Sequence, residues 1–220
     1  MVTTDPAYFE AIPWCATLLA DSEYTVVPSR FSQPNKDKRG ELFTRTLATD
    51  NTITACIYQS RRPKQSNYAS SCTTFRPSHP IVSEARAFLN TASGVNGFPG
   101  IAHGGFVASI IDEIMSFLIN SNKQMTEAAV DPPTASSMPA TAPGSSVVTV
   151  ELTIKYRKPV QTGDVLLLRT WIEKIEGRKI IVKATVEDSE KQILAEGLGF
   201  FIALKPGVKI PLVKRKSARI

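Results

Sequence analysis

From Phe106 to Ile119 the chain is apolar on nearly every side of a helical wheel. Phe106, Val107, Ile110, Ile111, Ile114, Met115, Phe117, Leu118 and Ile119 leave no polar stripe. A helix that is hydrophobic all round is a buried one, so the rest of the chain has to enclose it. The pattern predicts a helix from Gly105, just after the glycine- and proline-bearing loop Ser93–Gly100, to about Ser121. Asp112 and Glu113 interrupt the run, which stays short of the ~18 apolar residues that cross a bilayer. No membrane span is expected.

The flanks supply the enclosure. In Val147–Arg157 the even positions (Val148, Val150, Leu152, Ile154, Tyr156) are apolar, and the odd ones include Thr149, Glu151, Thr153, Lys155 and Arg157. That is the period of a half-buried strand. Val165–Lys174 reads as a second strand, joined by the short turn Glu176-Gly177-Arg178 to a third, Lys179–Asp188. Gln192–Leu204 reads as a fourth. Upstream, Glu41–Ala48 and Thr52–Gln59 are rich in β-branched and aromatic residues and read as strands, with Ser71–Arg76 a short one. In Ser83–Ala92 the local order Glu-Ala-Arg-Ala-Phe-Leu favours a helix, and helix and strand both stay open.

Short connections among the last four strands predict an antiparallel meander. The whole reads as α+β, an antiparallel sheet wrapped around one long central helix. Residues 1–35 form an N-terminal extension with a short helix from about Ala7 to Ala20. The main domain covers 36–206, and 207–220 is a basic tail. Residues 121–146 read as a flexible insertion, with Pro132, Pro133, Pro139 and Pro143 set among Ala, Ser and Thr.

Composition narrows the function classes. The net charge of +6 owes much to Lys214, Arg215, Lys216 and Arg219 in the tail. No helix-turn-helix, zinc finger or RNA-binding aromatic motif accompanies it, so a nucleotide-bearing small molecule is a better partner than a nucleic acid. Cys15, Cys56 and Cys72 lack metal-ligand spacing and read as reduced thiols, and no metal or cofactor is expected. The N-terminus has neither the pattern of a secretory signal nor that of a transit peptide. A cytoplasmic location is expected, with the weak address-like ending Ala218-Arg219-Ile220 pointing to the peroxisome as the alternative.

The chemistry concentrates around His103-Gly104-Gly105. Two glycines at a helix N-terminus expose N–H groups where the macrodipole favours negative charge. A carbonyl placed there would have its developing oxyanion stabilised, an effect of about 3 kcal/mol per donor. Asp112 stands in an otherwise apolar helix, and a carboxylate there calls for a partner or a job, as general base on water or as nucleophile. Glu113 points about 100° away on the same helix, so both cannot serve one site equally. His103 reads as an organiser of the loop, and His79, beside two prolines, as solvated.

Asn96 through His103-Gly104-Gly105, with Asp112 nine positions after His103, resembles the PaaI-like branch of hotdog thioesterases. Val148–Tyr156 followed by Lys158-Pro159, then Gly177-Arg178-Lys179 and Ala195-Glu196-Gly197, are similar to that family's later strands, so the resemblance spans about residues 80–204. It implies a hotdog fold, Ser83–Ala92 as a strand, and a homodimer or dimer of dimers joined edge to edge, with the active site between subunits. It further implies Gly105 N–H as oxyanion donor beside Gly104, Asp112 as base or nucleophile, and Asn96 positioning water or thioester. Thr149 would reach the site from the partner subunit. Arg157, Lys158, Arg178 and Lys179 would lie near the nucleotide end of the ligand, and Glu113 near the substrate. Two departures stand out. Asn96 precedes His103 by seven residues where related members usually have six, and the insertion is longer than the family needs.

The function this implies is hydrolysis of an acyl-CoA or acyl-carrier thioester. Two alternatives stay open, a hotdog dehydratase or isomerase acting on a similar thioester and a non-catalytic acyl-CoA-binding module.

Overall fold

The computed structural model describes residues 2–28, 40–63, 82–128 and 146–204. The expected strand Ser71–Arg76, the proline-rich part of the insertion, Cys72, His79 and the basic tail lie outside the described residues.

The apolar stretch is a single helix, α3, running Gly104–Ala128. It extends into the segment expected to be insertion. By length and composition its first 19 residues would also suit a bilayer, but here a sheet wraps them. Val107, Ile110, Ile111, Ile114, Met115 and Leu118 are all buried against it.

That sheet has seven strands. They are β1 (Tyr24–Val27), β2 (Ile53–Arg61), β3 (Glu84–Thr91), β6 (Val147–Tyr156), β7 (Val165–Glu176), β8 (Lys179–Glu187) and β9 (Ile193–Ala203). A separate two-stranded ribbon, β4 (Asn96–Phe98) with β5 (Ile101–Ala102), sits just before the helix. The order across the sheet is β1-β2-β3-β7-β8-β9-β6, every pair antiparallel. The architecture is α+β, an antiparallel sheet curled around one long helix.

The expected four-strand meander is therefore corrected. Only β7-β8-β9 form one, and β6 joins the far side of β9 while β3 takes its place beside β7. The connection 157–164 makes this possible. Eight residues can span about 27 Å, well beyond the roughly 14 Å of three strand spacings.

Side-chain alternation explains β3. Ala85, Ala87 and Leu89 face the helix, and Phe88 joins a second apolar cluster on the outer face of the sheet. A segment buried on both faces gains more from the ladder than local helix propensity can offset. On β9, Gly197 and Gly199 serve the helix directly. A Cβ at Gly197 would stand 2.4 Å from Ile111 Cγ2, and one at Gly199 2.7 Å from Met115 Sδ.

The expected helix Ala7–Ala20 is two helices, α1 (Pro6–Glu10) and α2 (Pro13–Leu19). Pro13 has no N–H to continue α1 and instead opens α2. Together they cover the outer face of the sheet, packing Phe9 and Cys15 on Ala55, Ile57, Phe88 and Leu167. Arg86, 1% exposed, anchors them. It donates to Gln59 Oε1 at 2.7 Å and to the Leu18 carbonyl at 2.5 Å, and its guanidinium lies 3.7 Å above the Tyr24 ring. The extension also supplies β1 to the sheet. The expected strand Glu41–Ala48 is instead a π-helical turn, Leu42–Thr46, burying Phe43 alone. Among the described residues it has no strand pairing, so its β-prone side chains lack the ladder they require.

Candidate active site

The start of α3 is built by its own loop. His103 N–H donates to the Val95 carbonyl at 2.8 Å, and Val107 N–H to the His103 carbonyl at 3.1 Å. Gly105 N–H donates to His103 Nδ1 at 3.0 Å. His103 is thus the cap of the helix, the organising role its position suggested, and its ring satisfies the amide expected to serve as oxyanion donor. Gly97 fits closely beneath it, since a Cβ there would stand 2.9 Å from His103 Cα. The register of β4 and β5 slips between Asn96 and Phe98. The extra residue between Asn96 and His103 is taken up by this irregularity at Gly97.

Asn96 is half-buried, and its Oδ1 accepts from Thr162 Oγ1 at 2.8 Å. The same crossover contributes Val160 O to Ala102 N–H at 2.8 Å and Thr162 N–H to Gly100 O at 3.0 Å. In this chain Asn96 therefore ties the loop to the crossover. A cavity of about 710 Å³ opens beside it, lined by Gly97, Phe98, His103, Gly104 and Tyr156 through Val160. Arg157 and Lys158 stand on its wall. Arg157 pairs with Glu196 at 2.7 Å and Lys158 with Gln192.

Arg178 and Lys179 do not join them. Arg178 ends the turn before β8 and donates to the Ala203 carbonyl, and Lys179 begins β8 and lies over Phe200. Val147 pairs with Ala203 and Tyr156 with Ala195, so the two basic pairs flank opposite ends of β6, roughly 30 Å apart along the strand.

Asp112 lies on the exposed flank of α3 and accepts from Thr149 Oγ1 at 2.9 Å. Burial pushes its carboxyl above the ordinary value of 3.8, and the Thr149 hydrogen bond pulls back against that. Thr149 and Asp112 thus meet within one chain. Strict alternation would have turned Thr149 away. The pairing of β6 with β9 slips between Thr149 and Glu151, leaving Val150 bulged and 60% exposed. A bulge reverses the facing of everything beyond it, so Thr149 shares the helix side with Leu152, Ile154 and Tyr156.

Glu113 points elsewhere, into a small internal cavity lined by Phe43, Cys56, Tyr58, Ala87 and Leu168. It stands away from Asp112 and from the larger cavity. Tyr156, given no role beyond apolar packing in the strand pattern, donates through Oη to the Gly104 carbonyl at 2.8 Å. Its place at the end of the bulged strand is the signal, visible only once the bulge is known.

Seven residues separate Gly105 from Asp112, about 10 Å along a helix. In one chain no reacting carbon can sit against both. Within one chain the helix start with its basic-walled cavity and the Asp112–Thr149 pair are separate places.

A sheet curled around one helix that opens on His-Gly-Gly is a hotdog domain. Residues 99–195 match the family model described as the thioesterase superfamily. The acyl-coenzyme A thioesterase THEM4 of Rattus norvegicus is 31% identical over 113 residues, 51% of this chain and 40% of that protein. The chain thus spans about two fifths of that relative's length. The verlamelin biosynthesis protein B of a Lecanicillium species is 25% identical over 191 residues, covering 82% of this chain and 80% of that one. The solved structure of the E. coli PaaI protein aligns with 56% of the chain at a TM-score of 0.43 and 15% identity.

Proposed function

We propose that this protein hydrolyses acyl-coenzyme A thioesters in a site shared by two copies, Gly105 coming from one and Asp112 from the other. The observation that carries the reading is the Asp112–Thr149 pair. It is a half-buried carboxylate of raised pKa, held by a hydroxyl on the open flank of a helix whose start presents glycine amides. Thioester hydrolysis requires a carboxylate that takes a proton and an amide that receives an oxyanion, here the Gly105 N–H once His103 Nδ1 releases it. The matched family and the acyl-CoA thioesterases among the relatives support the same substrate class.

The second copy follows from the 10 Å gap. Among the described residues β6 is an edge strand, with Val150 60% and Tyr156 55% exposed, and an open edge invites a second one. Two such strands joined antiparallel bring the start of one α3 beside the Asp112 of the other. They also bring Arg157 and Lys158 of one copy toward Arg178 and Lys179 of the other, where the phosphates of a coenzyme A would be met from both sides.

In the reaction water adds to the thioester carbonyl carbon as its proton passes to Asp112, and the carbonyl electron pair moves to oxygen. That oxygen takes the Gly105 N–H from His103, whose ring turns aside. The carbonyl then reforms, the C–S bond breaks, and the thiolate leaves and takes the proton back from Asp112. His103 is engaged as a helix cap, and no observation favours the dehydratase reading.

Free-thiol release from short, long and aryl acyl-CoAs, compared between wild type and Asp112→Asn, tests this. Turnover in the wild type with a loss of about 100-fold or more in the variant supports it. A wild type that releases no thiol from any of them, or a variant as active as wild type, overturns it.

A further inference from the structure

The peptide unit between Gly104 and Gly105 is held at both of its polar ends. On one side Tyr156 Oη donates to the Gly104 carbonyl at 2.8 Å. On the other, Gly105 N–H donates to His103 Nδ1 at 3.0 Å. Gly104 and Gly105 bring no Cβ atoms to pack against their neighbours, and in the first turn of α3 the Gly105 N–H has no intrahelical acceptor. The Tyr156 ring supplies the missing surface, since a Cβ on Gly104 would meet its Cζ and Oη at 3.4 Å.

We propose that Tyr156 is a positioning residue for thioester hydrolysis, pinning and polarising the Gly104–Gly105 peptide whose N–H receives the oxyanion. The inference rests on the hydrolase reading above and extends it to a residue outside the reacting groups. The physical reason is cooperativity along a hydrogen-bond chain. Donation to a peptide oxygen draws electron density toward that oxygen and makes the N–H at the other end a stronger donor, by about 10–30% per bond. The effect is largest where the partner is a developing charge.

The strand makes this assignment specific. Thr149 and Tyr156 lie on one face of β6 because of the bulge at Val150. One end of the strand fixes the carboxylate, and the other end fixes the oxyanion donor. In a site shared by two copies, each β6 then serves two different sites, with Thr149 acting in one and Tyr156 in the other.

The test uses the full-length protein labelled with ¹⁵N-glycine, Tyr156→Phe, and fluorotyrosines of graded acidity incorporated at 156, at a pH where all remain protonated. Phenylalanine keeps the ring against Gly104 and removes only the donor. The Gly105 amide resonance is expected to shift in Tyr156→Phe while glycines remote from the site stay in place. The kcat is expected to fall about 5-fold at a KM within about twofold, short of the roughly 100-fold loss of a direct donor. Across the fluorotyrosines kcat should rise with phenol acidity. With an active wild type, an unmoved Gly105 amide, an unchanged kcat or a flat fluorotyrosine series overturns the Tyr156 assignment alone. A wild type that cleaves no thioester overturns the hydrolase reading, and this assignment with it.

Discussion

Thr149 Oγ1 meets Asp112 Oδ1 at 2.9 Å, although 37 positions separate them in the chain. The meeting depends on one bulged residue, Val150, which turns Thr149 toward the helix. The hydroxyl favours the charged carboxylate while burial disfavours it, and burial is the larger effect.

A base must be ionised to work, so the rate should rise with pH through the Asp112 pKa, with its acidic limb above the ordinary 3.8. Thr149→Val removes the bond that favours the charge, and the limb should move to higher pH in a kcat/KM profile. Stability runs the other way. A carboxyl whose pKa is raised on folding contributes stability that is full below 3.8 and lost as pH rises through the folded value. Asp112→Asn should therefore raise Tm at neutral pH, and the gain should vanish in acid.

If each site takes Gly105 from one copy and Asp112 from the other, two inactive variants should rescue each other. Co-expressing Asp112→Asn with Gly105→Pro, which removes the N–H, places both defects in one site of a mixed dimer and leaves the other site intact. Random pairing then predicts about a quarter of wild-type turnover in the mixture. Mixtures no more active than either variant alone would count against a shared site.

His103 caps α3 through Gly105 N–H. His103→Ala should lower stability by about 1 kcal/mol, read by denaturant unfolding. Because the ring organises the amide and carries no proton in the reaction, kcat should stay within about tenfold of wild type. A loss as large as that of Asp112→Asn would instead make the histidine a proton carrier.

Arg86 is the buried pin of the N-terminal extension. Arg86→Met should cost about 3 kcal/mol by stranding Gln59 and the Leu18 carbonyl. It should also open the first 23 residues to limited proteolysis before the rest of the chain.

The helix and the last three strands were legible because their periods are long and unbroken, as in Ile180, Val182, Ala184 and Val186. Gly105 and Asp112 were legible because a glycine pair and a carboxylate are out of place in an apolar helix. What strict alternation hides is any residue beyond a bulge. Thr149 fell on the polar side of the pattern, and Tyr156 looked like packing. The side of the sheet taken by β6 was hidden too, because loop length does not distinguish a neighbour from a crossover. Glu41–Ala48 misled because strand propensity counts only beside a partner. Arg86 gave no signal, since its place under the extension depends on contacts far apart in the chain.

The stretch of recognisable sequence, 99–195, is not a unit that can be cut out. It leaves behind β1, β2 and β3, the whole ladder on one side of β7, and it ends three residues into β9, on which β6 depends for its only pairing among the described residues. A fragment trimmed to those limits would carry Gly105, Asp112 and Thr149 but lose Asn96, Gly97 and Phe98 beside the cavity, and α3 would lose its cover from β3. Domain swaps, minimal expression fragments and chimaeras with relatives should keep everything from Tyr24 to Ala203 intact.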